Sequence, residues 1–135
     1  MKELREYLMD NVNDLQYPDE KNDEYNKEFV EDQIKIYPLV LRWVKLYILP
    51  MKQKKFNHTL TSYGMKHKCE NMIGTYVWNE TLKYAMMEAG FEYKGSINHI
   101  YQISNKKYNI LSNLIRQCAK SGELTDFPEL IKEAL

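Results

Sequence analysis

The sequence predicts an α+β domain that is mostly helical, with five or six helices and a small antiparallel β-sheet. Three observations predict it. Apolar residues recur at three- and four-residue spacing through most of the chain, the pattern of amphipathic helices. Between Phe91 and Ile103 that spacing gives way to alternation of apolar and polar residues, the period of a strand. Between Thr61 and Tyr93, glycines and helix-capping residues fall where one element must end and the next begin. The 135 residues suit a single domain with a sizeable core. It divides into a helical half (1–60), a helix–strand–helix–hairpin module (61–104) and C-terminal helices (105–135).

Residues 1–15 form the first expected helix. Leu4, Leu8 and Val12 repeat at four, Tyr7, Met9 and Leu15 widen the stripe, and Tyr17-Pro18 ends it, because the residue before proline avoids the α region. Residues 19–32 are strongly charged and anchored by Tyr25, Phe29 and Val30, a second amphipathic helix whose acidic side either faces solvent or imitates a phosphate backbone. A third helix covers 34–49. Pro38 suits its first turn, Leu39, Val40, Trp43, Val44, Tyr47 and Ile48 make it apolar on more than one side, and Pro50 stops it. This helix is expected at the centre of the core, with Arg42 and Lys45 on its remaining polar side.

A basic connector follows, with Lys52, Lys54 and Lys55 beside Phe56, Asn57 and His58. Lysines next to an aromatic ring can hold a nucleic-acid strand by charge and stacking. Three lysines in a loop also suit an ordinary surface, and His58 reads as a solvated loop residue. Ser62 is expected to cap a helix over 62–73. Tyr63, Lys66, His67 and Glu70 share one face of it, and Met65, Cys69, Met72 and Ile73 form the apolar stripe beside them. Gly74 supplies the positive φ that stops it. Thr75–Trp78 are β-branched or aromatic and suit a short strand. Asn79 then caps a helix buried through Leu82, Ala85, Met86 and Ala89, with Gly90 ending it and Phe91 folding back on the last turn.

The hairpin over 91–103 turns at Gly95-Ser96, with Ile97, His99, Tyr101 and Ile103 on one face and Asn98, Ile100 and Gln102 on the other. His99 is thus a strand residue near the core. Tyr108, Leu111, Leu114, Ile115 and Cys118 line a helix over 105–120, stopped by Ser121-Gly122. Asp126 caps a last short helix with Pro128 in its first turn and Leu130, Ile131 and Leu135 on its apolar side.

Hydrophobic residues make up 44% of the chain, and a mean hydropathy of −0.62 marks a globular, soluble composition. No stretch approaches the ~20 apolar residues of a membrane span, and the N-terminal MKELREYLMD carries charges where a secretory signal needs an apolar run. The expectation is a cytoplasmic protein with two free thiols, Cys69 and Cys118. Charge is zero in total but unevenly placed: 1–33 carries −7, 34–69 carries +8 with no acid, and 70–135 carries −1. Either the first two segments neutralise each other or one of them is presented to a partner.

No catalytic signature is found, and no cofactor is expected. His67 and Cys69 are two apart, so on a helix they point in different directions, and His99 and Cys118 are remote, which argues against a metal site. Cys69 falls in the apolar stripe, as a buried inert thiol does. Glycine-rich phosphate loops and serine elbows are missing. Binding is the stronger class. Tyr63, Lys66 and His67, with Lys52, Lys54 and Lys55, are the candidate partner-binding residues; alternatively Tyr63 and His67 pack against the following helix. The order helix, strand, helix, hairpin is partly winged-helix-like. That reading makes 80–89 a recognition helix and Lys94-Gly95-Ser96 the wing tip, with Lys83, Lys94, Lys52, Lys54 and Lys55 on nucleic acid. Glu80 and Glu88 leave that helix without a basic face.

Residues 62–91 resemble a group of small proteins encoded by phages, prophages and plasmids. The group shares the pattern S-Y-G-L-K-H, an acidic residue, G-x-Y-V-x-N, and a helix ending A-G-F or A-G-Y. Ser62, Tyr63, Gly64, Lys66, His67, Glu70, Gly74, Tyr76, Val77, Asn79, Ala89, Gly90 and Phe91 match it. Met65 replaces the usual leucine, and Trp78 and Glu80 depart from the commoner residues around the asparagine. The likeness covers about a quarter of the chain. It implies a mobile-element origin and no particular reaction. The expected function is inhibition or modulation of a host nucleic-acid machine by direct binding, as an anti-CRISPR-like anti-defence protein. A DNA-binding regulator and an oligomerisation module are the alternatives. The expected partner is a host protein or nucleoprotein complex, with DNA or RNA open and no membrane.

Overall fold

The computed structural model describes residues 1–14 and 23–121. The expected last helix (126–135), the Tyr17-Pro18 stop and the side chain of Cys118 lie outside the described residues. The described chain is mostly helical α+β. Its elements are α1 (Leu4–Asp14), α2 (Asp23–Trp43), α3 (Ser62–Ile73), α4 (Asn79–Glu88), β1 (Tyr93–Lys94), β2 (Ile100–Tyr101) and α5 (Asn105–Ser121). Among the described residues, no helix is long and apolar enough to cross a membrane.

The two helices expected over 19–32 and 34–49 are one. No helix-breaking residue separates Asp32 from Ile34, and the buried stripe Val30, Gln33, Tyr37, Val40, Trp43 runs through the junction without losing phase. Pro38 therefore sits inside α2, on its exposed side. An internal proline costs roughly 3 kcal/mol. Burying Val30, Tyr37, Val40 and Trp43 returns about 1.5–3 kcal/mol for each, so the helix continues past it. It ends through a wider π turn at Val44–Ile48 and a 3-10 turn at Leu49–Met51, where Pro50 sits.

The 34–49 stretch lies in the main core as expected, through Val40, Trp43, Val44 and Ile48, and α4 joins it there. Every residue from Thr81 to Met86 is buried, and α4 packs against α1, α2 and α3. The main core joins Val40, Trp43 and Ile48 to Met65, Cys69 and Met72 of α3, Leu82 and Met86 of α4, Tyr101 and Ile103, and Leu111 and Ile115 of α5. A smaller cluster of Leu8, Val12 and Val30 joins α1 to α2. Polar side chains fasten the helices: Tyr7 Oη donates to Glu80 (2.6 Å), Tyr84 Oη to the Lys2 carbonyl (2.6 Å), and Tyr37 Oη to Glu88. Leu114, expected in the apolar stripe of α5, is half exposed, as is Ile110.

Residues 75–78 form no strand: Thr75 lies in a bend, and Trp78 is extended. Their backbone groups are met by side chains. Gln33, buried on α2, donates to the Tyr76 carbonyl (3.3 Å) and accepts from the Trp78 amide (2.9 Å) and the Thr81 hydroxyl (2.7 Å). The Val77 amide goes to Glu70 (3.2 Å). With these donors and acceptors satisfied, no ladder is needed. Both expected caps also shift by one residue. Thr61, not Ser62, caps α3 by accepting from the Gly64 amide, and Trp78 precedes α4 without a side-chain cap. Ser62 and Asn79 are spent on the hairpin. The Ser62 amide donates to the His99 carbonyl (2.8 Å), the His99 amide returns a bond to Ser62 Oγ (3.0 Å), and Asn79 Nδ2 donates to Asn98 Oδ1 (3.1 Å).

The end of α4 follows expectation. Phe91 N–H reaches Met86 O and Gly90 N–H reaches Met87 O, both at 3.0 Å, with Gly90 left-handed. β1 and β2 pair antiparallel, Tyr93 with Tyr101 and Lys94 with Ile100. The strands are only two residues long, so alternation holds from His99 onward. His99, Tyr101 and Ile103 are buried, while Ile97 lies in the connecting loop and is exposed. Gly95 is required there: at φ +101° a Cβ would lie 2.3 Å from the Asn98 carbonyl oxygen.

Candidate partner-binding face

Four residues of the helix face expected on α3 meet, joined by Tyr76 from residues 75–78. Lys66 extends its buried stem along α3 and places Nζ 2.7 Å from Glu70 Oε1. The two side chains retain 6% and 17% of their accessible surface, so the pair is largely out of water. Lys66 Nζ also lies 4.4 Å from the Tyr76 ring centre and 5.5 Å from that of Tyr63. A desolvated ammonium between two ring faces is held by the ring quadrupoles as well as by the carboxylate. His67 completes the group: its ring meets Tyr63 edge-on at 4.5 Å and its Nδ1 lies 3.1 Å from Glu70 Oε2.

Glu70 is the hub. Oε1 accepts from Lys66 and from the Val77 amide, and Oε2 faces His67. Burial alone would raise its pKa; the bonds from Lys66 and the Val77 amide, the Lys66 charge and the bond from His67 outweigh that and hold it below the ordinary carboxylate value. Lys66 thus links Glu70 to Tyr76, and Ser62 and Asn79 tie their elements to the hairpin.

The visible part of this group is aromatic. Tyr63 and Tyr76 remain 52% and 50% exposed. Among the described residues, no hydrogen bond or ring contact joins Tyr63 or His67 to α4. Beyond Tyr76 the aromatic surface continues to Phe29 (6.1 Å between ring centres), which meets Trp78 edge-on at 5.3 Å. Between α2 and Tyr76 lies a notch of about 310 Å³, lined by Phe29, Asp32, Lys35 and Ile36 of α2 and by Thr75 and Tyr76. Tyr76 and Phe29 were not among the expected site residues. Tyr76 is brought there by the turn that follows α3, and Phe29 by the packing of α2.

The other sequence-derived residues lie elsewhere. Lys52, Lys54 and Lys55 are exposed on the connector along β2, and Lys94 is exposed with Nζ 4.4 Å over the Phe56 ring. Lys83 is buried. Its ammonium is used on Glu80 (3.0 Å) and on the Ser96 and Ile97 carbonyls (3.2 and 3.0 Å), so it props up the hairpin tip and is not presented to nucleic acid. A helix buried from Thr81 to Met86 cannot enter a DNA groove, which removes the recognition helix of the winged-helix reading. Cys69 sits in the core and burial raises its pKa. Among the described residues no cluster of His, Cys, Asp and Glu could hold a metal ion. Nor does any ion pair among them join an acid of 1–33 to a base of 34–69; Arg5–Glu31 and Lys2–Asp10 both stay within the first segment.

No family model, curated protein or solved structure matches this chain.

Proposed function

We propose that this is a non-enzymatic accessory protein of a mobile element, acting in the host cytoplasm, that binds a host nucleic-acid machine and inhibits it in the manner of an anti-CRISPR protein. The observation that carries the binding reading is the pair of half-exposed tyrosines, Tyr63 and Tyr76, held on either side of a desolvated lysine. Rings fixed in this way lose little side-chain freedom when a partner covers them, and tyrosine is enriched among residues that dominate interface energy. The adjacent notch is large enough for a single partner side chain. The mobile-element assignment is supported by the resemblance of residues 62–91.

The experiment is phage plating on a host with an active CRISPR defence, with this protein expressed from a plasmid. The parent protein is expected to restore plating. Tyr63→Ala/Tyr76→Ala, checked for an unchanged circular dichroism spectrum and thermal midpoint, is expected to lose the effect. A folded double variant that protects phage as well as the parent, or a parent without effect on any host defence tested, overturns the proposal.

A further inference from the structure

A second surface lies along β2. The connector runs beside that strand as an interrupted third one: Lys52 bridges Ile103 and Thr61 bridges Ile100, while the amides of Gln53 and Asn57 donate to the carbonyls of Gln102 and Tyr101 (both 2.9 Å). Asn57 fastens it to α5 by donating to Asn105 Oδ1 (3.3 Å). Residues 51–61 hold three lysines and no acid, and residues 91–107 hold three lysines and Glu92, a local charge of +5. All six lysines are exposed. Among the described residues none of Lys52, Lys54, Lys55 or Lys94 is ion-paired to a carboxylate.

The edge is also ordered by its own contacts. Gln102 Nε2 donates to the Lys54 carbonyl (2.8 Å) and Gln53 Nε2 to that of Lys55 (3.0 Å). At β1, Tyr93 lies parallel to His99, 3.9 Å between ring centres and 9° between planes, and stays 47% exposed. Burial, with the nearby Lys83 charge, lowers the His99 pKa to about 4, so the supporting imidazole is neutral at physiological pH. Tyr93 is therefore a braced ring on the strand that flanks β2 on the side opposite the lysine-bearing connector.

We infer that single-stranded nucleic acid crosses this small sheet from the connector over β2 to β1, with Lys52, Lys54, Lys55 and Lys94 on phosphates and Tyr93 stacking on a base. A duplex reader needs an element that enters a groove, and α4 is buried. An acidic protein would use the lysines but has no need of a braced ring. Stacking platforms next to positive grooves are how single strands are held without sequence preference. The surface is independent of the Tyr63–Tyr76 face.

The test is fluorescence anisotropy of the full chain with fluorescein-labelled dT15 and with a labelled glutamate-rich 15-residue peptide. Four phosphate contacts predict affinity for dT15 falling roughly 50-fold between 50 and 200 mM NaCl, from a slope of about −0.7 per contact. Lys54→Gln/Lys55→Gln is expected to halve that slope. Tyr93→Ala is expected to weaken binding about 5- to 150-fold with the slope unchanged, and Tyr93→Leu, which keeps apolar packing on His99, to behave likewise. Tyr63→Ala/Tyr76→Ala is expected to bind dT15 like the parent, which separates this result from that of the docking proposal. Absence of dT15 binding at 50 mM NaCl, peptide bound as tightly as dT15, a slope that ignores the lysine substitutions, or indifference to loss of the Tyr93 ring each overturns the assignment.

Discussion

Truncating Glu70 to alanine removes the carboxylate that faces Lys66, while the ammonium stays covered by Tyr63, Tyr76 and its own helix. It also strips the Val77 amide of its acceptor. Breaking a buried pair from one side costs about 3–5 kcal/mol, because the remaining charge is uncompensated. Glu70 is not wholly buried, so the low end applies, about 3 kcal/mol. For 135 residues at ~2.1 cal/mol/K each, that is a fall of about 10 °C in Tm. Glu70→Gln keeps an acceptor for both donors and loses only charge, so about 1–2 kcal/mol is expected. Lys66→Met/Glu70→Gln should recover part of the loss, because no buried charge remains. Urea unfolding at pH 7 measures all of these. The exposed Arg5–Glu31 pair is the control, and Glu31→Ala should leave the midpoint where it is. The sign with pH follows from the lowered Glu70 pKa: its contribution is complete above the ordinary carboxylate value of about 4.3 and is lost as pH falls through the depressed folded value. A Glu70→Ala variant within 1 kcal/mol of the parent would refute the reasoning that this pair holds the face.

Three further outcomes are expected. His99, with a folded pKa of about 4 against 6.5 in the unfolded chain, takes its proton first in the unfolded state. Stability should therefore be complete above pH 6.5 and erode by about 2 kcal/mol on going from pH 7 to 4.5, a slope that His99→Gln flattens in urea titrations. Gly95→Ala should cost about 1–3 kcal/mol or more, since the new Cβ meets a carbonyl oxygen; Gly90→Ala, left-handed but in open space, should cost about 1 kcal/mol. Equal losses at the two sites would contradict the close approach at the hairpin. Pro38→Ala should stabilise α2 by about 1–3 kcal/mol, as read from the denaturant midpoint, and a loss would mean that the proline packs more than its exposed position indicates.

What could be read from the sequence was local. The apolar side of α3, its glycine stop, the close of α4 on Gly90 and Phe91, and the inward His99 follow from spacing and from residues within one turn. What was missed depended on distant partners. Thr75–Trp78 looked like a strand because its side chains favour one, but Gln33, some 43 residues away, takes its backbone groups. Lys83 looked like a nucleic-acid contact because lysines are usually solvated; here two carbonyls of the hairpin tip and Glu80 receive it under cover. Continuity of α2 was hidden by Pro38, whose local cost is exceeded by burial that only tertiary packing supplies. The face of Tyr63, Lys66, His67 and Glu70 was legible as helix periodicity. Its fifth member, Tyr76, was not, because residues 75–78 pair with no strand that would fix which side faces α3.

The claim on which the account depends is that the ring pair over Lys66 is the docking face. Hydrogen-exchange mass spectrometry of the protein, alone and loaded with the complex it captures from host lysate, tests it directly. Slowed exchange concentrated in 62–67 and 75–78 is the predicted result. Slowed exchange confined to other segments, with these two as open in the complex as in the free protein, would contradict it.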